Sequence, residues 1–508
     1  MAQINVQDLT FYYEGSFDHI FEHVSFSIDT NWRLGFVGRN GKGKTTFLRL
    51  LTGDFAYQGS ISAPAGIFRF PYTLTAEQMQ QPASEWIGTL RPDCEEWRVI
   101  CELSELREEA ELLYRPFALL SPGEQTKVML AVLFSGEEDF LLIDEPTNHL
   151  DEQAREAVRQ YLSGKKGFLL VSHDRDLLDA CTDHMLVLNR KTIEVQCGNF
   201  SSWWENKQRK DIFAEAENEK HRKEIRKLRQ AARRTAEWAD KSERTKIGFD
   251  PVKEPDRCIS TRSFIGAKTK KMQSRVKHME QRIGRAIEAQ EGLLQDIEQT
   301  AALRLTQLTH YKDTLLTLRG YGLQYETAAE PLFSGLSFTL HRGERIALHG
   351  KNGCGKSTLL HQIMAKAGIP VQELPLKESG LLEPAPNLTV SYIPQRTDHL
   401  RGCLAEFCEA QGLELSRFCA MLRRLDFERG QFEKDISEYS EGQKKKLLIA
   451  ASLLTPAHLY IWDEPLNYID VFSRIQIEEL LRAHQPTMLF VEHDVRFREH
   501  AATGTVIL

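Results

Sequence analysis

Two distant regions of the chain carry the same succession of apolar and polar stretches. In each, a short apolar run (Arg33 to Val37; Arg345 to His349) meets a glycine-rich polar loop and then a stretch with helical spacing (Thr46 to Leu51; Thr358 to Met364). Further on, Phe140 to Pro146 and Leu459 to Pro465 are apolar runs that end in Asp-Glu, the pattern of a buried parallel strand delivering two carboxylates at its C-terminal edge. A second apolar run in each region ends in Val171-Ser172-His173-Asp174 and Val491-Glu492-His493-Asp494. These patterns predict an α/β fold present in tandem.

Between the two regions the pattern changes. From about Phe200 to Thr314, Gly and Pro thin out and Glu, Lys, Arg and Ala dominate, as in long solvent-exposed helices. Met272, Val276, Met279, Ile283, Leu294 and Ile297 recur at spacings of three and four, a narrow apolar seam for an antiparallel partner helix. That partner is expected over about Trp204 to Lys241, offering Ile212, Ile225 and Leu228. The expected divisions are residues 1–199, a helical hairpin over 200–314 with its tip at about 245–270, and residues 315–508.

Composition narrows the class. A chain of 508 residues, 41% hydrophobic and 27% charged, supports several packed cores and excludes wholesale disorder. No run is long and apolar enough to span a membrane, and Met1 to Thr10 lacks the basic and apolar segments of a signal peptide. Nine cysteines without CxxC pairs suggest neither a disulfide framework nor a zinc site, so a cytoplasmic protein is expected. The net charge of −7 conceals an asymmetry: Ser201 to Gln290 holds 24 Lys and Arg against 14 Asp and Glu. A basic segment in an acidic protein fits local contact with a polyanion, or a solvated helical surface.

The polar loops carry the chemistry. Gly38-Arg39-Asn40-Gly41-Lys42-Gly43-Lys44-Thr45 and Gly350-Lys351-Asn352-Gly353-Cys354-Gly355-Lys356-Ser357 stand 312 residues apart, each followed by a threonine, Thr46 or Thr358. Such loops wrap backbone N–H groups around phosphate oxygens at a helix N-terminus; Lys44 or Lys356 reaches the terminal phosphates, and the Thr45 or Ser357 hydroxyl ligates magnesium. Tyr13 and Tyr325 each precede the loop lysine by 31 residues, suited to stacking on a purine or to filling a core, with Tyr12 blurring the first assignment. Asp144 and Asp463 are the candidates for the magnesium shell, and Glu145 and Glu464 for orienting water. His173 and His493, 28 and 29 residues beyond those glutamates, are placed to bond the terminal phosphate.

Leu120-Ser121-Pro122-Gly123-Glu124-Gln125 and Tyr439-Ser440-Glu441-Gly442-Gln443 resemble the signature loop of ATP-binding-cassette ATPases, with each serine 23 residues before its aspartate. The resemblance implies that Ser121 and Gly123, or Ser440 and Gly442, grip the γ-phosphate of ATP bound to the opposite cassette, in two composite head-to-tail sites. Asn148-His149-Leu150-Asp151 and Asn467-Tyr468-Ile469-Asp470 look like the family's interface loops. Tyr392-Ile393-Pro394-Gln395 resembles the family's magnesium-sensing segment, whereas the first cassette has Phe70-Pro71-Tyr72. Unequal sites are therefore expected, the first reaching metal through water.

Two cassettes on one chain with a long charged connector resemble the ABC-F proteins, and Trp462 to Asp470 and the opening around Gly38 look most like the antibiotic-resistance subgroup of Lsa, Vga and Sal proteins. Tyr72 to Ser121 leaves no room for a large arm, and Leu508, 15 residues past His493, leaves none for a basic C-terminal extension. The resemblance implies an ATPase using ATP and Mg2+, working as a monomer with paired cassettes on the bacterial ribosome, with neither DNA nor membrane as partner. It implies that the connector tip enters from the exit site toward the peptidyl-transferase centre, contacts rRNA and tRNA, and dislodges lincosamide, streptogramin A or pleuromutilin drugs. Ile247, Phe249, Ile259, Phe264 and Ile265 beside Arg257, Arg262 and Lys268 suit structured RNA, with apolar groups for unstacked bases and cations for phosphates. A spacer role for the connector, a housekeeping translation factor and a transporter's ATPase subunit are the alternatives.

Overall fold

In the computed structural model, Arg33–Gly38 lies inside a six-stranded sheet ordered Ile67–Phe70, Phe140–Asp144, Phe168–Val171, Arg33–Gly38, His184–Leu188, Ile193–Cys197. Every pairing is parallel except the last. Residues 3–244 and 303–508 are described, apart from 14–18, 64–65, 93, 137–138, 149, 190–191, 328–329 and 372–374; between them only 277–279, 281–283 and 285 are. The second cassette has a five-stranded parallel sheet, Val390–Ile393, Leu459–Asp463, Met488–Val491, Arg345–His349, Gly504–Ile507. Phe140 to Ile143 and Leu459 to Asp463 are buried throughout, which is why they read as unbroken apolar runs. Parallel strands end at one edge, so the phosphate loop, the acid pair and the histidine of each cassette meet there.

Each cassette adds a small antiparallel sheet, Phe21–Asp29, Gln3–Phe11, Gln58–Ser62 in the first and Phe333–His341, Thr314–Tyr325, Leu376–Pro384 in the second. The first packs on its parallel sheet through a core that includes Phe21, Phe36, Phe47, Leu142 and Leu169. In the second, Tyr321, Leu348, Leu359, Ile461 and Leu489 share one such core, while Phe418, Leu447, Trp462 and Phe490 belong to another beneath the helices.

The cassettes form one compact unit, Met1–Trp203 with Thr300–Leu508, and Trp204–Gln299 forms a second. The chain joins the second cassette earlier than the expected boundary at 314. Leu303 and Leu305 are buried in its core, and the Thr306 carbonyl accepts the Tyr460 hydroxyl at 2.9 Å. The connector's first helix, Phe200–Arg244, has 45 residues and so a length of about 68 Å. Ala214, Asn218, Ile225 and Ile283 are buried, with Leu228 half-buried. Ile212 and Met279 leave the expected seam, 67% and 55% exposed; Ile212 sits two positions from Ala214, off the 214–218–225 stripe.

Candidate functional site

Each phosphate loop is held by its glycines and its lysine. Gly43 and Gly355 precede the helices Lys44–Leu51 and Lys356–Lys366 with φ of 103° and 96°, a backbone that side-chain-bearing residues rarely adopt. A Cβ on Gly43 would also lie 2.5 Å from Ile20. The Lys44 ammonium donates to the carbonyls of Gly38 (2.7 Å) and Arg39 (3.2 Å) and to the Asn40 side-chain oxygen (3.2 Å). Lys356 does the same to Gly350 and Lys351 at 2.8 and 2.9 Å. Both cations are thus tied to the backbone carbonyls of their own loops. Tyr13 bonds the Thr46 hydroxyl at 2.7 Å and Tyr325 that of Thr358 at 3.2 Å, so Tyr13, not Tyr12, is the counterpart of Tyr325.

A turn separates the two members of each acid pair. The strands end at Asp144 and Asp463, and Glu145 and Glu464 follow with left-handed φ of 52° and 47°. Their N–H groups still bond Val171 and Val491 (2.9 and 3.0 Å), which fixes the turn to the neighbouring strand. His173 Nε2 lies 3.4 Å from Glu145 Oε1, and His493 Nε2 lies 3.4 Å from Glu464 Oε1.

The environments differ although the geometry repeats. Burial, then the Asp144 charge, push the Glu145 carboxyl well above the usual range. Burial would raise Glu464 too, but the bonds from His493 and Gln395 outweigh it and hold that carboxyl at about 2. Burial, then the charges of Lys44 and Arg474, keep His173 well below the usual imidazole range, a neutral ring. Lys445, 2% exposed, clamps the second site by donating to the carbonyls of Pro394 and Glu464, both at 3.0 Å.

A divalent cation fits one site better than the other. In the second, the Ser357 hydroxyl bonds Asp463, Gln395 is adjacent, and Asp463 Oδ1 is buried without a partner among the described residues. In the first, Asp144 Oδ2 receives both the Thr45 hydroxyl and the Arg69 guanidinium at 3.3 Å, while Tyr72 is half-buried beside Arg91.

The cassettes face each other head to tail. Asn40 donates to the Tyr468 carbonyl at 2.5 Å, and a Cβ on Gly442 would lie 2.5 Å from that oxygen and 2.9 Å from the Asn40 amide. Arg39 pairs with Asp426 at 3.1 Å, and Lys42 with Glu428. Ser440 caps the helix Glu441–Leu454 and exchanges bonds with Gln443, so the helix N-terminus beside Gly442 is set against the first loop. Ser121 and Glu124 form the same box on Pro122–Phe134. The facing side is open: Pro122 and Arg155 share a cavity of about 370 Å³ with Gly353, Gly355, Lys356, Ser357, Gln395 and His493. Ser121, Gly123 and Glu124 line a larger cavity, about 1560 Å³, with Gly350 and Asn352.

The eight tip residues, Ile247 to Lys268, lie outside the described residues, as does His149. Arg69 and Lys445 are the site residues that the motifs missed. A lone cation inside the apolar run Ile67-Phe68-Arg69-Phe70 was the available signal for Arg69.

Comparison with known proteins agrees with this geometry. The ABC transporter family matches residues 21–148 and 333–467, more than half the chain. The ribosome protection protein VmlR of Bacillus subtilis is 27% identical over 98% of this chain and 85% of its own length. The ABC transporter F family member 5 of Arabidopsis thaliana is 24% identical over 94% of this chain and 71% of its own. The solved structure of an RNase-L Inhibitor shares the fold, with a TM-score of 0.58 at 18% identity over 99% of this chain and 87% of that one. Among the described residues no helix is long and apolar enough to cross a membrane. The chain belongs to the ABC transporter family as a two-cassette ATPase, and it resembles that family's antibiotic-resistance ABC-F branch.

Proposed function

We propose that this ATPase acts on the ribosome, closing its cassettes on ATP and protecting the peptidyl-transferase centre from lincosamide, streptogramin A and pleuromutilin drugs. The observation that carries the reading is the likeness to a ribosome protection protein across 98% of the chain, both cassettes and the connector included. The basic balance of Ser201 to Gln290 supports contact with rRNA, and the apolar and basic tip supports a role at the drug site beside the transfer RNA end.

In this reading Ser440 and Gly442 hold ATP seated on Lys44, and Ser121 and Gly123 hold ATP seated on Lys356. Both γ-phosphates then bridge the cassettes. Glu464, held ionised, takes the proton of the attacking water while His493 positions it, and loss of the bridge opens the clamp. Ser357, Asp463 and Gln395 are the residues that would hold magnesium in the second site, where it would supply charge neutralisation at the phosphates, whereas in the first site Asp144 faces both Thr45 and the Arg69 guanidinium.

The test is purified translation inhibited by a lincosamide or a pleuromutilin. The full chain is expected to restore synthesis, and replacement of Ile247 to Ile265 by a short Gly-Ser turn is expected to abolish rescue while ATP binding and basal turnover persist. Rescue by the truncated protein would return the connector to a spacer. Ribosome binding without any rescue by the full chain would favour a housekeeping translation factor.

A further inference from the structure

The register of the edge strands sets the two sites side by side. Phe70 lies opposite Ile143, and Ile393 lies opposite Trp462, so Arg69 occupies the position of Tyr392 and Tyr72 that of Gln395. Tyr392 turns its hydroxyl to His361 at 3.2 Å. Arg69 instead places Nη2 3.3 Å from Asp144 Oδ2, the oxygen that also takes the Thr45 hydroxyl at 3.3 Å. Asp144, expected to ligate a metal, is therefore already paired with a fixed cation, whereas the Thr45 bond to it only repeats the Ser357 bond to Asp463 in the second site. Arg69 Nε is buried and has no partner among the described residues, and Nη2 carries the bond to Asp144.

We propose that Arg69 takes the place of the divalent cation in the first site, so that this site holds ATP through a guanidinium while the second requires a metal. A guanidinium cannot deprotonate under working conditions and matches phosphate oxygens in a planar fork. It carries one charge, repels a divalent ion brought to the same carboxylate, and cannot by itself fill the ion's role of binding both the β- and γ-oxygens in octahedral geometry. The first site is thereby a holding site and the second a hydrolysing one. The inference rests on the reading that both cassettes bind ATP.

The experiment counts ions and nucleotides on the full chain carrying Glu145→Gln and Glu464→Gln, which keeps ATP intact. Equilibrium dialysis with magnesium present is expected to give two ATP per chain, and with excess EDTA one. With manganese as a paramagnetic substitute, spin resonance is expected to count one bound ion per doubly loaded chain. Adding Arg69→Tyr and Tyr72→Gln, which copies the second cassette, should raise that count to two and remove the nucleotide retained in EDTA, whereas Arg69→Lys should retain it. Two manganese ions on the chain with Arg69 intact, or loss of both nucleotides in EDTA, would overturn the proposal without any variant at Arg69 being needed. Fewer than two ATP with magnesium present would instead refute the two-site reading on which it stands.

Discussion

Arg175 and Glu478, 303 residues apart, form a two-pronged ion pair across the cassettes, with each side chain 6% exposed. Arg175 follows His173 by two residues, and Glu478 lies in the helix Val471–His484 that Asp470 caps. Removing one partner of such a pair strands a buried charge, whereas apolar replacement of both is often neutral. Arg175→Ala is expected to lower stability by about 3–5 kcal/mol, measured by denaturant unfolding. Arg175→Met with Glu478→Leu should recover most of the loss; an undiminished loss would mean that the pair does more than fill the interface.

The glutamates give the second prediction. Glu145→Gln with Glu464→Gln should keep ATP binding and lower turnover by roughly 10²–10⁴-fold, the size of general-base effects. Glu464→Gln alone should cost more than Glu145→Gln alone, because Gln395, His493 and Lys445 surround Glu464 and hold it ionised. Equal single losses would argue against unequal sites.

Acidity should separate the two sites further. A carboxyl with a raised pKa is protonated below that value and becomes a proton acceptor only above it, so the small residual turnover left to the holding site in the Glu464→Gln protein should climb as buffer passes from mildly acid to mildly alkaline. Glu145→Gln, which leaves Glu464 with its value near 2, should show no such climb over the same range. Steady-state phosphate release across pH checks both slopes.

The two signature glycines are not equally crowded. A methyl on Gly442 meets Tyr468 and Asn40 at 2.5 and 2.9 Å, whereas on Gly123 its nearest neighbour is Leu150 at 3.7 Å. Gly442→Ala should therefore speed ATP loss from the first site after rapid dilution, and Gly123→Ala should leave that rate unchanged. Equal effects would mean that the head-to-tail seam is looser than this contact implies.

Much of this arrangement is legible in the chain, for a physical reason. Strands buried on both faces must be continuously apolar, and phosphate loops must carry glycine where φ is positive, so Phe140–Asp144, Leu459–Asp463, Gly43 and Gly355 announce themselves locally. What depends on pairing does not. The environments that drive Glu145 and Glu464 apart, burial beside Asp144 for the one and the bonds from His493 and Gln395 for the other, are assembled only by folding. Arg69 acquires meaning only when Phe70 is set opposite Ile143. Ile212 has the apolar type of a seam residue but not the phase, which Ala214 and Asn218 define.

The Asn40–Tyr468 bond, with the Arg39–Asp426 and Lys42–Glu428 pairs beside it, has a kinetic consequence. On the reading that each loop seats a nucleotide, one on Lys44 would sit behind those contacts, while one on Lys356 would face the cavity shared with Pro122. Product would then be released from the second loop first, and the residence time of the closed clamp would be timed by one exchange event instead of two.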